Sequence, residues 1–135
     1  MRVDHVGLVV ANVQAGRRHL ETFYHATPRG EPIDDPLQQA TVWFFDAHGV
    51  TIELIAPLGA DSHLHNVLER SGEHLAHLCY EVDDLDAALA EMRGNKAMTI
   101  SRKPAVAFGG RDVAFVLLPN KTIVELLAAS RRDGD

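Results

Sequence analysis

Apolar and polar positions alternate along this chain in short blocks that predict a fixed order of elements. "VDHVGLVV" reads as a strand over 3–10, interrupted by a single histidine, His5. Helical spacing follows over 13–25, with Val13, Leu20 and Phe23 as its apolar points. A weak strand or loop near 29–34 precedes two strands, 39–47 and 50–57. The turn between them, "DAHG" (46–49), ends on a glycine able to supply positive φ. The second half repeats the order, with a strand 75–82, a helix 84–94 and strands 97–102, 111–118 and 121–128. Leu85, Ala88, Leu89 and Met92 fall on one face of that helix. "PN" (119–120) is expected to turn the last hairpin as "DAHG" turns the first.

The resemblance between the halves extends to single residues. "HVGLVVANVQ" from His5 and "HLCYEVDDLD" from His77 each open on histidine and run as a strand. Each then breaks at a residue suited to capping a helix: Asn12 in the first, Asp83 or Asp84 in the second. "VTIELIAP" (50–57) matches "KTIVELLAA" (121–129). The histidines are 77 − 5 = 72 residues apart, and Glu53 and Glu125 are 125 − 53 = 72 apart. Two coincidences of residue type at one offset argue for tandem βαβββ modules. Module one covers 1–58, a linker helix 59–73, module two 74–129 and a frayed tail 130–135. The linker helix is expected to be capped at Asp61 or Ser62, to carry Leu64, Val67 and Leu68 as its stripe, and to end near Gly72.

The glutamates stand where apolar residues belong. Glu53 lies between Ile52 and Leu54, and Glu125 between Val124 and Leu126. Because strand side chains alternate, each carboxylate points away from its apolar neighbours. If helices cover the apolar side, both glutamates face the concave side. A buried carboxylate must be paired, protonated or bound to a cation. His5, Glu53, His77 and Glu125 therefore read as ligands of one divalent ion such as Zn, Co, Ni or Mn, leaving positions for water or a chelating substrate. His19, His25, His48, His63 and His65 read as solvated, and His74 as structural. Cys79, two residues beyond His77, reads as core.

Composition narrows the class. With 46% hydrophobic and 24% charged residues, the 135-residue chain can build an ordinary core. A net charge of −6 and the lack of any long basic run argue against coating nucleic acid. One cysteine allows neither an intrachain disulfide nor a cysteine zinc cluster. No apolar run reaches membrane-spanning length and no leader pattern is seen, so a soluble, cytoplasmic protein is expected.

The tandem modules with His, Glu, His and Glu on their strands resemble the vicinal oxygen chelate superfamily. It includes glyoxalase I, methylmalonyl-CoA epimerase, extradiol dioxygenases and the bleomycin and fosfomycin resistance proteins. The likeness covers about residues 3–128. It is strongest to the epimerases, through "DHVGLVV", "TIELIAPLGADS", "HLAHLCYEVDDLDAALAEM", "AFGGRDVAFVLLP" and "IVELL". It implies an α+β fold in which a curved mixed sheet surrounds the metal, with helices on the convex face. It also implies metal ligands at His5, Glu53, His77 and Glu125, a small-molecule substrate such as an acyl thioester, and a homodimer. The implied chemistry is proton abstraction beside a carbonyl, with Glu125 loosening from the metal to act as base.

Several residues depart from the epimerase pattern. Trp43 is aligned where some epimerases carry a second carboxylate, "LLPNKT" is a short loop, and Ala76 replaces the first of a usual His-His pair. Epimerases often have Gln where Glu53 stands, and glyoxalase I often has Glu. Gln39, Trp43, Gly110 and Arg111 are the candidate substrate contacts, with Phe45 and Phe108 adding apolar walls. "FGGRD" (108–112) reads either as a substrate loop or as a tight turn feeding a strand. Two other activities stay open: a glyoxalase-type lyase, and a non-catalytic binder of an antibiotic or other planar ligand, favoured by "WFF". A dioxygenase would use two His and one carboxylate, leaving a fourth ligand unexplained.

Overall fold

The structure, a computed structural model, describes residues 1–130. Eight strands and three α-helices form an α+β fold in the expected order. They fall into two compact units: His5–Ala76, and the residues from His77 on together with Met1–Asp4. The tail assigned to 130–135 lies, from residue 131 on, outside the described residues.

The first unit contains β1 (Arg2–Val9, from His5), α1 (Val13–Tyr24), β2 (Thr27–Asp35), β3 (Ala40–Ala47), β4 (Val50–Pro57) and the linker helix α2 (Leu64–Ser71). Its strands lie in the order β2-β3-β4-β1, with β1 parallel to β4 and the other pairs antiparallel. The β3–β4 turn is the two-residue hairpin expected. Ala47 pairs with Val50, and His48 and Gly49 have φ of 55° and 91°, the positive values such a turn requires.

Asn12 caps α1, its Oδ1 accepting from the N–H groups of Gln14 and Ala15 at 2.9 and 3.0 Å. The apolar stripe of α1 looked untidy in sequence because its middle member is a glycine. Gly16 and Leu20 are the buried residues of this helix. A Cβ at Gly16 would meet Leu54 Cδ1 at 3.0 Å, so any larger residue here would require the Leu54 side chain to give way. Phe23, expected in the stripe, is 71% exposed and lies against His19. Ala26 is buried instead, and its N–H reaches back to Leu20 O at 3.2 Å, closing the helix end.

The linker helix ends at Gly72 as expected. Its start differs from expectation: the N-cap is His63, with no capping side-chain bond, while Ser62 just before it accepts from Leu64 N–H at 3.3 Å and donates to Gln39 O at 2.7 Å. Leu64 is buried, and Val67 and Leu68 are half-buried.

The second unit repeats the plan with β5 (His74–Val82, from His77), α3 (Leu85–Gly94), β6 (Met98–Pro104), β7 (Asp112–Leu117) and β8 (Ile123–Ala128). Its order is β5-β8-β7-β6, with β5 parallel to β8. Asp84 caps α3 by accepting from Ala87 N–H at 3.0 Å. Leu85 and Leu89 are buried, and Ala88 and Met92 pack on the same core, as the spacing predicted.

The last hairpin differs from expectation. Leu117 pairs with Ile123, so five residues (118–122) make the turn in place of "PN" alone. Lys121 takes φ 72°, and Asn120 Oδ1 accepts from Thr122 N–H at 3.1 Å. This longer turn moves the register of β7 by one residue relative to β3, with consequences for the site.

Each unit packs the helix-side residues of its strands into a core. In the first unit Val10, Leu20, Trp43, Phe45 and Leu54 are buried together; in the second, Val82, Leu85, Leu89, Ala114, Val116 and Leu126 are. Burial of each such large side chain stabilises by about 1.5–3 kcal/mol. No helix among the described residues is long and apolar enough to cross a membrane.

Candidate functional site

The glutamates point as the alternation required. Ile52 and Leu54 join the core beneath α1, and Val124 and Leu126 the core beneath α3, so Glu53 and Glu125 project from the other face of their strands. Both are buried, at 5% and 4% exposure.

In the first unit, Gly7 stands directly beside Glu53 in the parallel β1–β4 pair, and His5 is two residues before Gly7 on the same face. His5 Nε2 lies 3.2 Å from Glu53 Oε1. In the second unit, Cys79 stands beside Glu125, and His77 is two residues before it. His77 Nε2 lies 3.2 Å from Glu125 Oε1. The parallel pairing of first and last strands brings these donors together, and it does so identically in both units.

This donor set suits a divalent cation. Imidazole nitrogen and carboxylate oxygen are the ligands that borderline metals take. Two ligand atoms at about 2.1 Å from one ion lie roughly 3.0–3.4 Å apart in octahedral or tetrahedral geometry. The 3.2 Å in each His–Glu pair falls in that interval.

Two phenylalanines that sequence reading missed complete these faces. Phe44 is directly opposite Glu53, and Phe115 directly opposite Glu125. Each meets its histidine edge-on, at 5.8 Å for His5–Phe44 and 5.3 Å for His77–Phe115. The hairpin turn already contained this information. A two-residue turn at 48–49 sets position 44 against 53 by counting alone. In the second unit the longer turn makes the spacing 125 − 115 = 10 instead of 53 − 44 = 9. The 72-residue offset therefore fails at this strand.

The candidate substrate contacts need correction. Trp43 is 4% exposed and directly opposite Leu54, on the helix side. Its Nε1 donates to Gly30 O at 3.0 Å, and the Arg17 guanidinium lies 5.6 Å above its ring. Phe45 is fully buried in the same core. The aromatic argument for a planar-ligand pocket thus loses both residues, because alternation sends 43 and 45 to the face opposite Glu53. Gln39 is not on the strand. It has φ 52° in the turn before β3, and its carbonyl accepts from Leu58 N–H and Ser62 Oγ.

Arg111 is tied into the protein. Its Nη1 donates to Glu81 Oε2 and Ala128 O, both at 3.0 Å, and its Nε to Phe108 O at 3.2 Å. Gly110, φ 84°, closes a tight turn by donating to Ala105 O at 2.9 Å. The turn reading of "FGGRD" is the one observed. Phe108 does lie on the glutamate side, packed with Cys79, Ala105, Val113 and Leu127. Cys79 is therefore core, as expected, but in the small core beside Glu125. His74 Nδ1 lies 2.7 Å from Gly72 O, which supports its structural reading.

Comparison with known proteins agrees with this architecture. The family model of the glyoxalase/bleomycin resistance protein/dioxygenase superfamily matches residues 4–115. The Bacillus subtilis (strain 168) protein YqjC is 31% identical over 99% of this chain and 94% of its own length. An ethylmalonyl-CoA/methylmalonyl-CoA epimerase of Cereibacter sphaeroides is 32% identical, over 85% of this chain and 87% of its own. The crystal structure of methylmalonyl-CoA epimerase from Mycobacterium tuberculosis superposes with a TM-score of 0.80 at 20% identity, covering 96% of this chain and 89% of that one. The repeated modules, the paired donors and the extent of these matches lead to one assignment: the chain belongs to the glyoxalase/bleomycin resistance protein/dioxygenase superfamily.

Proposed function

We propose that this protein is a metal-dependent isomerase of epimerase type that moves a proton beside the carbonyl of a small acyl compound, an acyl thioester in the first instance. The observation that carries the reading is the pair of buried His–Glu contacts at 3.2 Å, repeated on equivalent strands. His5, Glu53, His77 and Glu125 each offer one donor atom, and in this reading the four hold a single divalent ion. A cation bound there supplies Lewis-acid stabilisation of the charge that develops on the substrate oxygen. The name of the Cereibacter relative supports the acyl-thioester substrate class.

The chain's own groups supply the rest. Glu125 takes the proton from the carbon next to the carbonyl, its carboxylate aimed by the strand and flanked by His77. Phe115, directly opposite Glu125, gives the reacting carbon an apolar wall. Phe44 stands directly opposite Glu53 and cannot titrate, and the one acid of β3, Asp46, is held by Arg29, so Glu53 is the carboxylate left to return a proton. The presence of Glu at position 53 also favours a second reading, a glyoxalase-type lyase acting on a thiol–ketoaldehyde adduct by the same proton transfer. A homodimer and a cytoplasmic location belong to the proposal too.

The test is metal analysis of the purified protein, then solvent deuterium uptake at the carbon next to the thioester of methylmalonyl-CoA. About one divalent ion per chain and uptake abolished by Glu125→Gln are expected. Protein that takes up none of Co, Ni, Mn or Zn would overturn the reading. Turnover of a hemithioacetal with no thioester exchange would select the lyase.

A further inference from the structure

Counting straight across the strands of the first unit on the glutamate side gives Gly7, Glu53, Phe44 and Arg29 in register. The second unit gives Cys79, Glu125, Phe115 and Ser101. Arg29 and Ser101 are repeat mates, 101 − 29 = 72, and each sits where its edge strand breaks register. Bulges of this kind re-aim side chains beside functional sites. The two rows are alike except at their ends. One runs from metal donor over an apolar ring to a guanidinium, and the other from donor over ring to a hydroxyl.

Arg29 is the only cation of β2, and it leans inward. Its Nε and Nη2 donate to Asp46 Oδ1 at 2.9 and 2.7 Å, and Nη2 also reaches Thr51 Oγ1 on β4. To touch β4 from β2, the guanidinium must lie across β3 on the glutamate side. Thr51 is two residues from Glu53 on the same strand and face, roughly 7 Å along it. Arg29 is held at one edge only. Among the described residues its Nη1 makes no hydrogen bond, and its side chain is 49% exposed. An arginine oriented by an aspartate on one edge and open on the other is built to receive an anion. The alternatives on the second unit are engaged, since Arg2 and Arg111 both pair with Glu81, at 2.5 and 3.0 Å.

We infer that Arg29 is the specificity-determining residue for an anionic group, carboxylate or phosphate, on the substrate, and that it fixes which end of the substrate lies over Phe44. This rests on the reading under Proposed function. It predicts a substrate with chelating oxygen at one end and, beyond a stretch that lies over Phe44, negative charge at least about 7 Å away.

The test uses full-length, cobalt-loaded protein, wild type and Arg29→Gln, titrated with three probes. Adipyl-pantetheine carries a carboxylate beyond four apolar methylenes, propionyl-CoA carries phosphates, and propionyl-pantetheine carries neither. Arg29→Gln should weaken one of the first two at least tenfold and leave propionyl-pantetheine unchanged, and Arg29→Lys should recover part of the loss. The probe that weakens tells whether carboxylate or phosphate is bound. Equal affinities in wild type and Arg29→Gln, or equal weakening of all three probes, would overturn the inference alone. A wild-type protein that takes up cobalt yet binds none of the probes would overturn the acyl-thioester reading, and this inference with it.

Discussion

Truncating two adjacent aromatic residues should have opposite consequences, because strand alternation sends them to opposite faces. Trp43 is 4% exposed and packed among Val10, Leu20, Phe45 and Leu54, with its ring 5.1 Å from that of Phe45. A buried tryptophan hides about 150–250 Å², which at about 25 cal/mol per Å² corresponds to about 4–6 kcal/mol. Part of that burial persists in unfolded chains, so Trp43→Ala should cost about 3–5 kcal/mol. The loss includes the bond from Nε1 to Gly30 O. Phe44 is half-buried and touches His5 edge-on, so Phe44→Ala should cost only about 1–2 kcal/mol. Equilibrium urea unfolding of metal-free protein measures both, with Trp43→Phe as a milder variant that keeps an aromatic ring in the core. Divalent-metal titration then provides the functional contrast. Phe44→Ala should alter metal affinity by removing the ring that backs His5, and Trp43→Phe should not. A larger stability loss for Phe44→Ala than for Trp43→Ala, or a changed metal affinity only in Trp43→Phe, would refute this assignment of faces.

Four further outcomes are expected. Gly16→Val should destabilise by about 1–3 kcal/mol, since even its Cβ would meet Leu54 at 3.0 Å; thermal unfolding checks this. Arg111→Gln should lose about 1–3 kcal/mol with little change in acyl-thioester affinity, because its hydrogen bonds go to Glu81, Ala128 and Phe108; urea midpoints and a binding titration separate the two effects. The hydrogen bond from Arg29 holds the Asp46 carboxyl below its ordinary value of 3.8. A depressed carboxylate contributes stability above its unfolded value and loses it as pH falls through the lower folded one. Asp46→Asn should therefore flatten the acid limb of stability below about pH 4, as read from urea midpoints against pH. Adding a divalent ion at a hundred times its dissociation constant should stabilise the protein by about 2.7 kcal/mol, and Glu53→Gln should diminish that gain as measured by calorimetry.

What the sequence determined about this protein rests on two local periodicities and one long one. The period-two pattern placed β4 over 50–57 and turned Glu53 and Glu125 away from the helices, because neighbouring side chains on a strand must take opposite faces. Asn12 and Asp84 announced their helix starts through groups that satisfy free N–H bonds nearby. The 72-residue repeat then named both His–Glu pairs. The untidy stripe of α1 and the misplaced pocket residues show where this kind of reading ends. A glycine at position 16 carries no hydrophobic signal, yet it is buried because Leu54 comes up against it from another strand. Trp43 was assigned to the site by alignment, whereas pairing across the β3–β4 hairpin puts Phe44 there. Arg111 looked available until Glu81 and Ala128, distant in sequence, were seen to hold it. The five-residue turn before β8 moved Phe115 one place off the repeat, and Arg29 gained its meaning only from β3, the strand lying between it and Glu53. Side-chain direction along one strand is set by the backbone itself and can be read from sequence. Which residue on the next strand faces it depends on turn length and register, and those are fixed only when the strands pair.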